Sequence, residues 1–405
     1  MKLSFLKLRN YRNITETEFK VHPRFNLVLG SNGQGKTSIL EAIHLLGSLK
    51  SFRGAKMSEM IQWGQELSEI QGTLGFEAPE TLLKITLTPT QKAAFVNGKA
   101  FRSSTQYLSQ RFGDYRLGFH SVVFNPSDHD LVRGDPGGRR SYLDRVIAAE
   151  DLQHLEACTQ YQRVLDQRNA VLKGSKTQQT QLLLEGFSEA LSQTAAKLTL
   201  NRLNWIRKAQ KDLDNTLRYI APSQPVLSLV YISNWVPEIA GLCLLNRGIN
   251  QVHFAGQDPL PSLDQIQRSF WQKLSALGEA ERRSGHSLVG PHRDDWSLML
   301  GNQFLKGHGS QGEVRSALLA LKLCEIDLFQ QATGHRPLFL LDDFSSELDR
   351  FRRKFLVDHL LKSDLQVFIS TTEDFTEDLK DAERVWIDQG KRVCSPFVSE
   401  NAFSN

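Results

Sequence analysis

The spacing of apolar residues changes several times along the chain, and each change predicts an element. Leu3, Phe5, Leu6 and Leu8, a polar turn at 10–13 and the apolar run 25–29 predict strands. Beyond a glycine-rich loop, Ile39, Ile43 and Leu46 recur at steps of four and three, which marks one face of a helix starting at Lys36. Strand, glycine loop and helix make the first half of an α/β unit. Leu83, Ile85 and Leu87 then alternate with Lys84, Thr86 and Thr88, so 66–100 reads as β-rich, with Asn97-Gly98 as a hairpin turn.

From about Arg139 the period becomes helical. Leu155, Cys158, Tyr161, Leu165 and Leu172 fall at helical steps, polar residues 174–181 interrupt, and Leu184, Leu191, Leu198 and Trp205 recur every seven residues. Thr194 and Asn201 at the intervening positions are polar, which favours a short helical hairpin over a long coiled coil. Residues 222–237 read as a strand or linker between prolines, and 263–283 as a helix. From 287 onward helix and strand alternate: a helix from about Gln311, the apolar strand Leu338–Leu341, a helix at 352–361 and a strand at 366–370. That alternation belongs with the parallel sheet of the N-terminal part. The expected organisation is one α/β head in two sequence halves, 1–138 and 286–405, separated by an inserted helical arm at 139–285. There is no internal repeat and no low-complexity tract.

Composition narrows the class. With 40% hydrophobic and 23% charged residues the chain is neither disordered nor fibrous, and its 405 residues allow two or three domains at about 150 residues each. Its apolar stretches, such as 239–245 and 317–321, are far shorter than the roughly 18 residues of a membrane span. The first residues lack a signal-peptide pattern, so a cytoplasmic protein with no membrane association is expected. Cys158, Cys243, Cys324 and Cys394 lie at least 70 positions apart, which suggests scattered buried thiols rather than a metal knuckle or disulfide framework. The net charge of +4 is too mild to argue for nucleic acid, but it is unevenly spread. Residues 1–150 carry +6, 151–250 carry +3 and 251–405 carry −5.

Chemistry enters with Gly30-Ser31-Asn32-Gly33-Gln34-Gly35-Lys36-Thr37, a full G-x-x-x-x-G-K-[ST] pattern between a predicted strand and a predicted helix. Such a loop turns successive backbone N–H groups toward phosphates, and the helix N-terminus adds partial positive charge. Lys36 is expected to reach the β- and γ-phosphates of a nucleotide, and Thr37 to ligate Mg²⁺. The strand Leu338–Leu341 ends in Asp342-Asp343, as a Walker B strand does. Asp342 is expected to hold the metal through water, and Asp343 to orient the attacking water. Being one methylene shorter than Glu, Asp343 predicts slow hydrolysis.

Ser310-Gln311-Gly312-Glu313 opens the next helix. Ser310 and Glu313 fit an S-x-x-E capping box, and the segment also fits an ABC-type signature, in which a Ser and a Gly at a helix start bind the γ-phosphate held by a second copy of the protein. Its place 32 residues before Asp342, with Ser346-Glu347-Leu348-Asp349 following like a D-loop, favours the signature. Thr371 or Thr372 would occupy a switch position or merely a strand-end turn. Arg12 and Asn13 fit either the adenine side of a site or a solvated turn. His292, beside Arg293 and Asp294, reads as part of a structural turn.

Taken together, Leu8-Arg9-Asn10-Tyr11-Arg12-Asn13, the Walker A loop, Val123-Phe124-Asn125-Pro126, Leu131-Val132-Arg133-Gly134-Asp135-Pro136 with Arg139-Arg140, Tyr161 with Gln167-Arg168-Asn169, Gly290-Pro291-His292-Arg293-Asp294-Asp295, the Ser310 segment and Leu340-Leu341-Asp342-Asp343 resemble the RecF family of bacterial SMC-like recombination-repair ATPases. The resemblance runs over nearly the whole chain in the same order. It implies an ABC-type, SMC-like P-loop ATPase head with a short helical arm, whose ATP-driven homodimer binds DNA at single-strand/duplex junctions of gaps. It also implies work with RecO and RecR in helping to load RecA. Glu313 stands where the family's signature often has Gln, which adds a negative charge close to the γ-phosphate held in trans. The chain is somewhat longer than a typical member.

Candidate DNA-phosphate contacts are Arg139, Arg140, Lys173, Lys176, Arg207, Lys208 and Lys211, any one of which could equally be a solvated helix residue. The main alternative function is a stand-alone P-loop phosphotransferase acting on a small molecule. A condensing SMC protein would need far longer heptad arms, and a GTPase would need an N-K-x-D element after the P-loop.

Overall fold

In a computed structural model, residues 2–75, 79–101, 103–109, 119–174, 177–236, 251–254, 260–343, 350–374, 379 and 381–393 are described. The chain divides into two compact units, one formed by Met1–Asp128 with Phe329–Asn405 and the other by His129–Leu328.

The first unit holds two six-stranded sheets. One is antiparallel and contains β1 (Leu3–Tyr11), β2 (Ile14–Lys20), β4 (Ser68–Leu74), β5 (Thr81–Leu87), β6 (Lys92–Val96) and β7 (Lys99–Phe101) in the order β2-β1-β4-β5-β6-β7. In Ser68–Leu74 every second residue is buried and those between are half-buried, which is the pattern of a sheet with one face better covered than the other. The second sheet runs β16-β15-β3-β14-β13-β8, with β3 (Phe25–Leu29), β8 (Ser121–Phe124), β13 (Leu338–Leu341), β14 (Val367–Thr371), β15 (Glu383–Asp388) and β16 (Lys391–Val393). Here β8, β13, β14, β3 and β15 are successive parallel neighbours, and β3, β8, β13 and β14 are buried at every position, as strands covered on both faces must be.

Helix α1 (Lys36–Ser48) touches strands of both sheets and is buried at every position except Thr37, and the short helices α2 (Met57–Met60) and α3 (Ser104–Ser109) belong to the same unit. A helix buried around nearly its whole circumference lies inside a core, polar members such as Glu41 and His44 included. The strands predicted at 25–29, 338–341 and 366–370 therefore do share one parallel sheet, although the first lies more than 300 residues before the other two. The edge strand β8 is a further member that the hydrophobic pattern did not reveal.

The second unit contains α4 (His129–Arg133), α5 (Pro136–Glu150), α6 (Leu152–Lys173), α7 (Gln178–Ile220), α8 (Leu263–Ser284), α9 (Leu305–His308) and α10 (Gln311–Thr333) as far as Leu328. Leu191, Leu198 and Trp205 are buried as the seven-residue spacing predicts, whereas Leu184 is half exposed. A four-stranded antiparallel sheet accompanies the helices, ordered β10-β9-β11-β12 from β9 (Leu227–Ser233), β10 (Gln251–Phe254), β11 (Asp295–Leu300) and β12 (Gln303–Phe304). Residues 295–300 thus pair with β9 and not with the parallel sheet, which corrects the assignment of the whole 287–405 alternation to that sheet. Of the cysteines, Cys324 is buried and Cys158 half-buried, while Cys243 and Cys394 lie outside the described residues. Among the described residues no helix is long and apolar enough to cross a membrane.

Candidate functional site

Residues 30–37 connect the C-terminal end of β3 to the start of α1, so the open first turn of a core helix faces the end of the parallel sheet. Gly30, Gly33 and Gly35 take φ values of +152°, +81° and +113°. At Gly30 a side chain is also excluded by space, because a Cβ would collide with the Ile387 carbonyl oxygen of β15. Lys36 folds back over the loop and donates to the carbonyls of Gly30 at 2.7 Å and Ser31 at 2.8 Å. Burial lowers the pKa of its ammonium, and the carboxylates Asp343 and Asp342 oppose that shift.

The two acids reach this loop from β13. Asp342 is buried, and its Oδ1 accepts from Thr37 Oγ1 at 2.9 Å and from Ser370 Oγ at 2.6 Å. Ser370 also accepts the backbone N–H of Asp343 at 2.9 Å. The start of α1 supplies Thr37, the residue after β13 supplies Asp342 and β14 supplies Ser370, and the three meet at one point at the end of the parallel sheet. Burial raises the pKa of Asp342, and the adjacent Asp343 adds to the rise, while the two hydroxyl donors pull it back. A desolvated carboxylate with a threonine hydroxyl beside it is a hard-oxygen donor set suited to a small divalent cation such as Mg²⁺. Ser370 is the member that the sequence reading missed. The strand runs one residue further than expected, and Thr371 is fully buried in a turn in which its hydroxyl bonds the backbone of Glu373. Thr372 is exposed.

The loop and acids line a cleft of about 1380 Å³ within the first unit, whose wall includes Arg12, Asn13, Phe52, Arg53 and Trp63. Arg12 is no solvated turn residue. Its guanidinium makes a bidentate pair with Glu41 of α1, at 2.6 and 2.7 Å, and Glu41 is fully buried and also accepts from Ser51. Asn13 donates to the Gly33 carbonyl at 3.1 Å and accepts from Ser38 Oγ at 3.1 Å.

In the second unit, Ser310 is exposed at the start of α10 and makes the reciprocal pair of a capping box. Its N–H donates to Glu313 Oε2 at 2.8 Å, and the Glu313 N–H donates to Ser310 Oγ at 3.3 Å. Gly312 is half-buried in the same turn. The D-loop segment 346–349 lies outside the described residues.

The basic residues divide into two sets. Lys173, Lys208 and Lys211 are exposed, and Arg207 is half-buried beside Asn204. Lys176 lies outside the described residues. Arg139, by contrast, is buried in a bidentate pair with Asp295 at 2.6 and 2.7 Å, and Arg140 donates to the Asp294 carbonyl at 2.8 Å. Arg139 is therefore a structural residue and not a DNA contact. It joins a polar core that sequence reading did not foresee. Arg202 clamps Asp144 with two bonds of 2.8 Å and donates to the Pro291 carbonyl. Arg168 donates to Glu281, Ser287 and Ser188. His292 lies between Tyr161 Oη at 2.6 Å and the Ser287 carbonyl at 3.0 Å, with its pKa lowered to about 4 by burial, as a structural turn requires. Asp294 accepts from Tyr231 and Trp235, and burial raises its pKa to about 6.

Comparison with known proteins agrees with this architecture. The family model described as the RecF/RecN/SMC N terminal domain matches residues 2–392. The DNA replication and repair protein RecF of Geotalea uraniireducens is 34% identical over 379 residues, covering 92% of this chain and 93% of that protein. The protein of the same name from Syntrophotalea carbinolica is 35% identical over 373 residues, with 92% and 93% covered. Among solved structures, the recombination mediator protein RecF with ATP, of the RecFOR pathway, superposes with a TM-score of 0.80 at 28% identity, covering 96% of this chain and 98% of that one. The Smc head domain from Pyrococcus furiosus shares the fold, with a TM-score of 0.54 at 14% identity over 99% and 98% of the two chains. With a family model matching nearly the whole chain and relatives of the same name at 34–35% identity over nine-tenths of both chains, the chain belongs to the RecF family of DNA replication and repair proteins.

Proposed function

We propose that the chain is an ATP-switched DNA-binding protein of recombinational repair and replication restart. The observation that carries this reading is the convergence of Thr37 at the start of α1, Asp342 at the end of β13 and Ser370 of β14, beside the phosphate loop and Lys36. In this reading the N–H groups of residues 30–37 and the Lys36 ammonium bind the phosphates of ATP, and Asp343 orients the attacking water. Thr37 and Asp342 would hold Mg²⁺, which when bound supplies positive charge against the phosphate oxygens. The relative solved with ATP supports the choice of nucleotide.

Ser310 and Gly312 present the N-terminus of α10 to the γ-phosphate held by a second copy, so ATP draws two chains into a dimer. Glu313 already holds the Ser310 N–H, which keeps this turn formed before the second copy arrives. The dimer binds DNA at single-strand/duplex junctions of gaps and helps RecO and RecR to load RecA, in the cytoplasm. Hydrolysis is slow and serves switching rather than turnover, since Asp343 carries one methylene less than the Glu of typical ABC ATPases.

Fluorescence anisotropy with gapped duplex DNA tests the switch. ATP with Mg²⁺ should tighten binding at least tenfold in the wild type and leave Lys36→Ala unchanged. Equal affinities with and without ATP would contradict it.

A further inference from the structure

The phosphate loop is held from outside its own sequence by two hairpin turns. The first is the two-residue connection Arg12-Asn13 between β1 and β2, where Tyr11 pairs with Ile14. Asn13 donates from Nδ2 to the Gly33 carbonyl at 3.1 Å, and its Oδ1 is fixed by Ser38 Oγ at 3.1 Å. The second is the two-residue connection Gln389-Gly390 between β15 and β16, where Asp388 pairs with Lys391 and both turn residues have positive φ, +46° and +72°. Gly390 donates its N–H to the Gln34 carbonyl at 3.0 Å, and Gln389 donates its N–H to Gln34 Oε1 at 2.5 Å.

A trans peptide unit points its carbonyl and the following N–H in opposite directions. Fastening the Gly33 carbonyl to Asn13 therefore turns the Gln34 N–H away from Asn13. Fastening the Gln34 carbonyl to Gly390 does the same for the Gly35 N–H. A concavity of N–H groups binds an anion only while those peptide planes hold their orientation. Glycines at 33 and 35 leave the loop free to flip them, so the orientation needs an external hold.

The two turns also meet each other. A Cβ at position 390 would collide with the Asn13 carbonyl oxygen, and one at Gly35 would come within 3.1 Å of Asn13 Oδ1. Only glycine allows the β15–β16 turn to lie against the β1–β2 turn while both hold the loop.

We infer that Asn13 and the Gln389-Gly390 turn are positioning residues that orient the phosphate-loop N–H groups for nucleotide. The inference rests on the nucleotide-binding reading above. It predicts that nucleotide affinity depends on two turns that lie outside the Walker sequence at opposite ends of the chain.

The test is binding of a fluorescent ATP analogue (mant-ATP), together with thermal unfolding of the nucleotide-free protein. Asn13 is exposed, so its substitution does not disturb the core. Asn13→Asp keeps the shape and the Ser38 bond but sets a carboxylate against the Gly33 carbonyl, and should weaken binding about tenfold or more. Asn13→Ala and Ser38→Ala should each weaken it about fivefold, a typical net hydrogen-bond effect. Gly390→Ala should also lower affinity. The control Gly98→Ala introduces a similarly strained residue (φ +80°) at a turn with open space around it, and should leave affinity unchanged. All variants should unfold within a few degrees of the wild type except Gly390→Ala.

Wild-type binding with unaltered affinity in Asn13→Asp and Ser38→Ala would overturn the clamp while leaving the nucleotide site intact. Equal loss in Gly390→Ala and Gly98→Ala would overturn the role of the second turn. Absence of binding by the wild type would overturn the nucleotide reading itself, and the clamp with it.

Discussion

Thr37 and Asp342 lie 305 residues apart in the chain, yet the threonine hydroxyl donates to the aspartate Oδ1 across 2.9 Å. Ser370 donates to the same oxygen at 2.6 Å. Both hydroxyls stabilise the ionised carboxylate, against a burial that favours its protonated form. Removing one donor must therefore shift the balance toward protonation. Metal-dependent nucleotide binding requires the carboxylate, so on acidification it should fail at a higher pH than an ordinary aspartate would dictate. Ser370→Ala should move that midpoint further up, and Asp342→Asn should abolish the metal-dependent part at all pH values. Titration of nucleotide affinity with and without Mg²⁺ from pH 4 to 8 checks this, and a midpoint unmoved in Ser370→Ala would contradict it.

The exposed and buried cations predict different phenotypes. Lys208 and Lys211 are exposed and three residues apart on α7. Replacing both by Ala should leave stability within about 0.5 kcal/mol and lower the slope of log affinity against log salt by about two. Arg139→Ala should instead destabilise the fold by about 3 kcal/mol or more, because Asp295 loses its bidentate partner. Chemical denaturation and salt-dependent DNA titrations separate the two. A large loss of stability in the double lysine variant would contradict the assignment.

Arg168 and Glu281 form an ion pair at 2.6 Å with 2% and 1% of their side chains exposed. Truncating Arg168 to Ala strands a buried carboxylate and should cost about 3–5 kcal/mol. Replacing both partners with apolar residues of similar volume should cost far less. Urea unfolding of the single and double variants measures the difference, and equal losses would contradict the argument.

Glu150 makes stability depend on pH. Burial raises its pKa to about 7, even though its Oε1 accepts from Trp205 Nε1 at 3.0 Å. The folded state thus binds a proton more tightly than the unfolded one. This group's contribution is fully present below pH 4.5 and is lost as pH rises through about 7. Glu150→Gln keeps the acceptor for Trp205 and should be more stable than the wild type at pH 8 by about 3 kcal/mol, with the difference shrinking toward pH 5. Melting temperatures across that range test the sign.

How much of this was legible in the sequence depended on how local the cause was. Gly30 to Thr37 could be read directly, because one short segment carries its loop, its lysine and its helix start. The strand before Asp342 was equally plain, being a run of apolar residues ending in two acids. The edge strand β8 escaped because three apolar residues after a serine give no period, and β11 because its partner β9 is 63 to 73 residues away in register. Ser370 escaped because its partner Asp342 lies 28 positions away at the end of the neighbouring strand, while the expected strand end drew attention to the hydroxyls that follow it, Thr371 and Thr372. Arg139 resembled a DNA contact because its partner Asp295 lies 156 positions away. Helical spacing could not reveal that ion pair, nor the networks around Arg168 and Arg202, since each is assembled from several elements.

The central claim is that ATP assembles two copies of the chain on DNA. Sedimentation velocity of the wild type, with and without ATP and gapped DNA, tests it most directly. The account predicts a monomer without nucleotide, a dimer with ATP and Mg²⁺, a dimer bound to DNA when both are present, and a monomer throughout for Lys36→Ala and Ser310→Arg. A wild-type monomer under every condition, with DNA affinity indifferent to ATP, would contradict it.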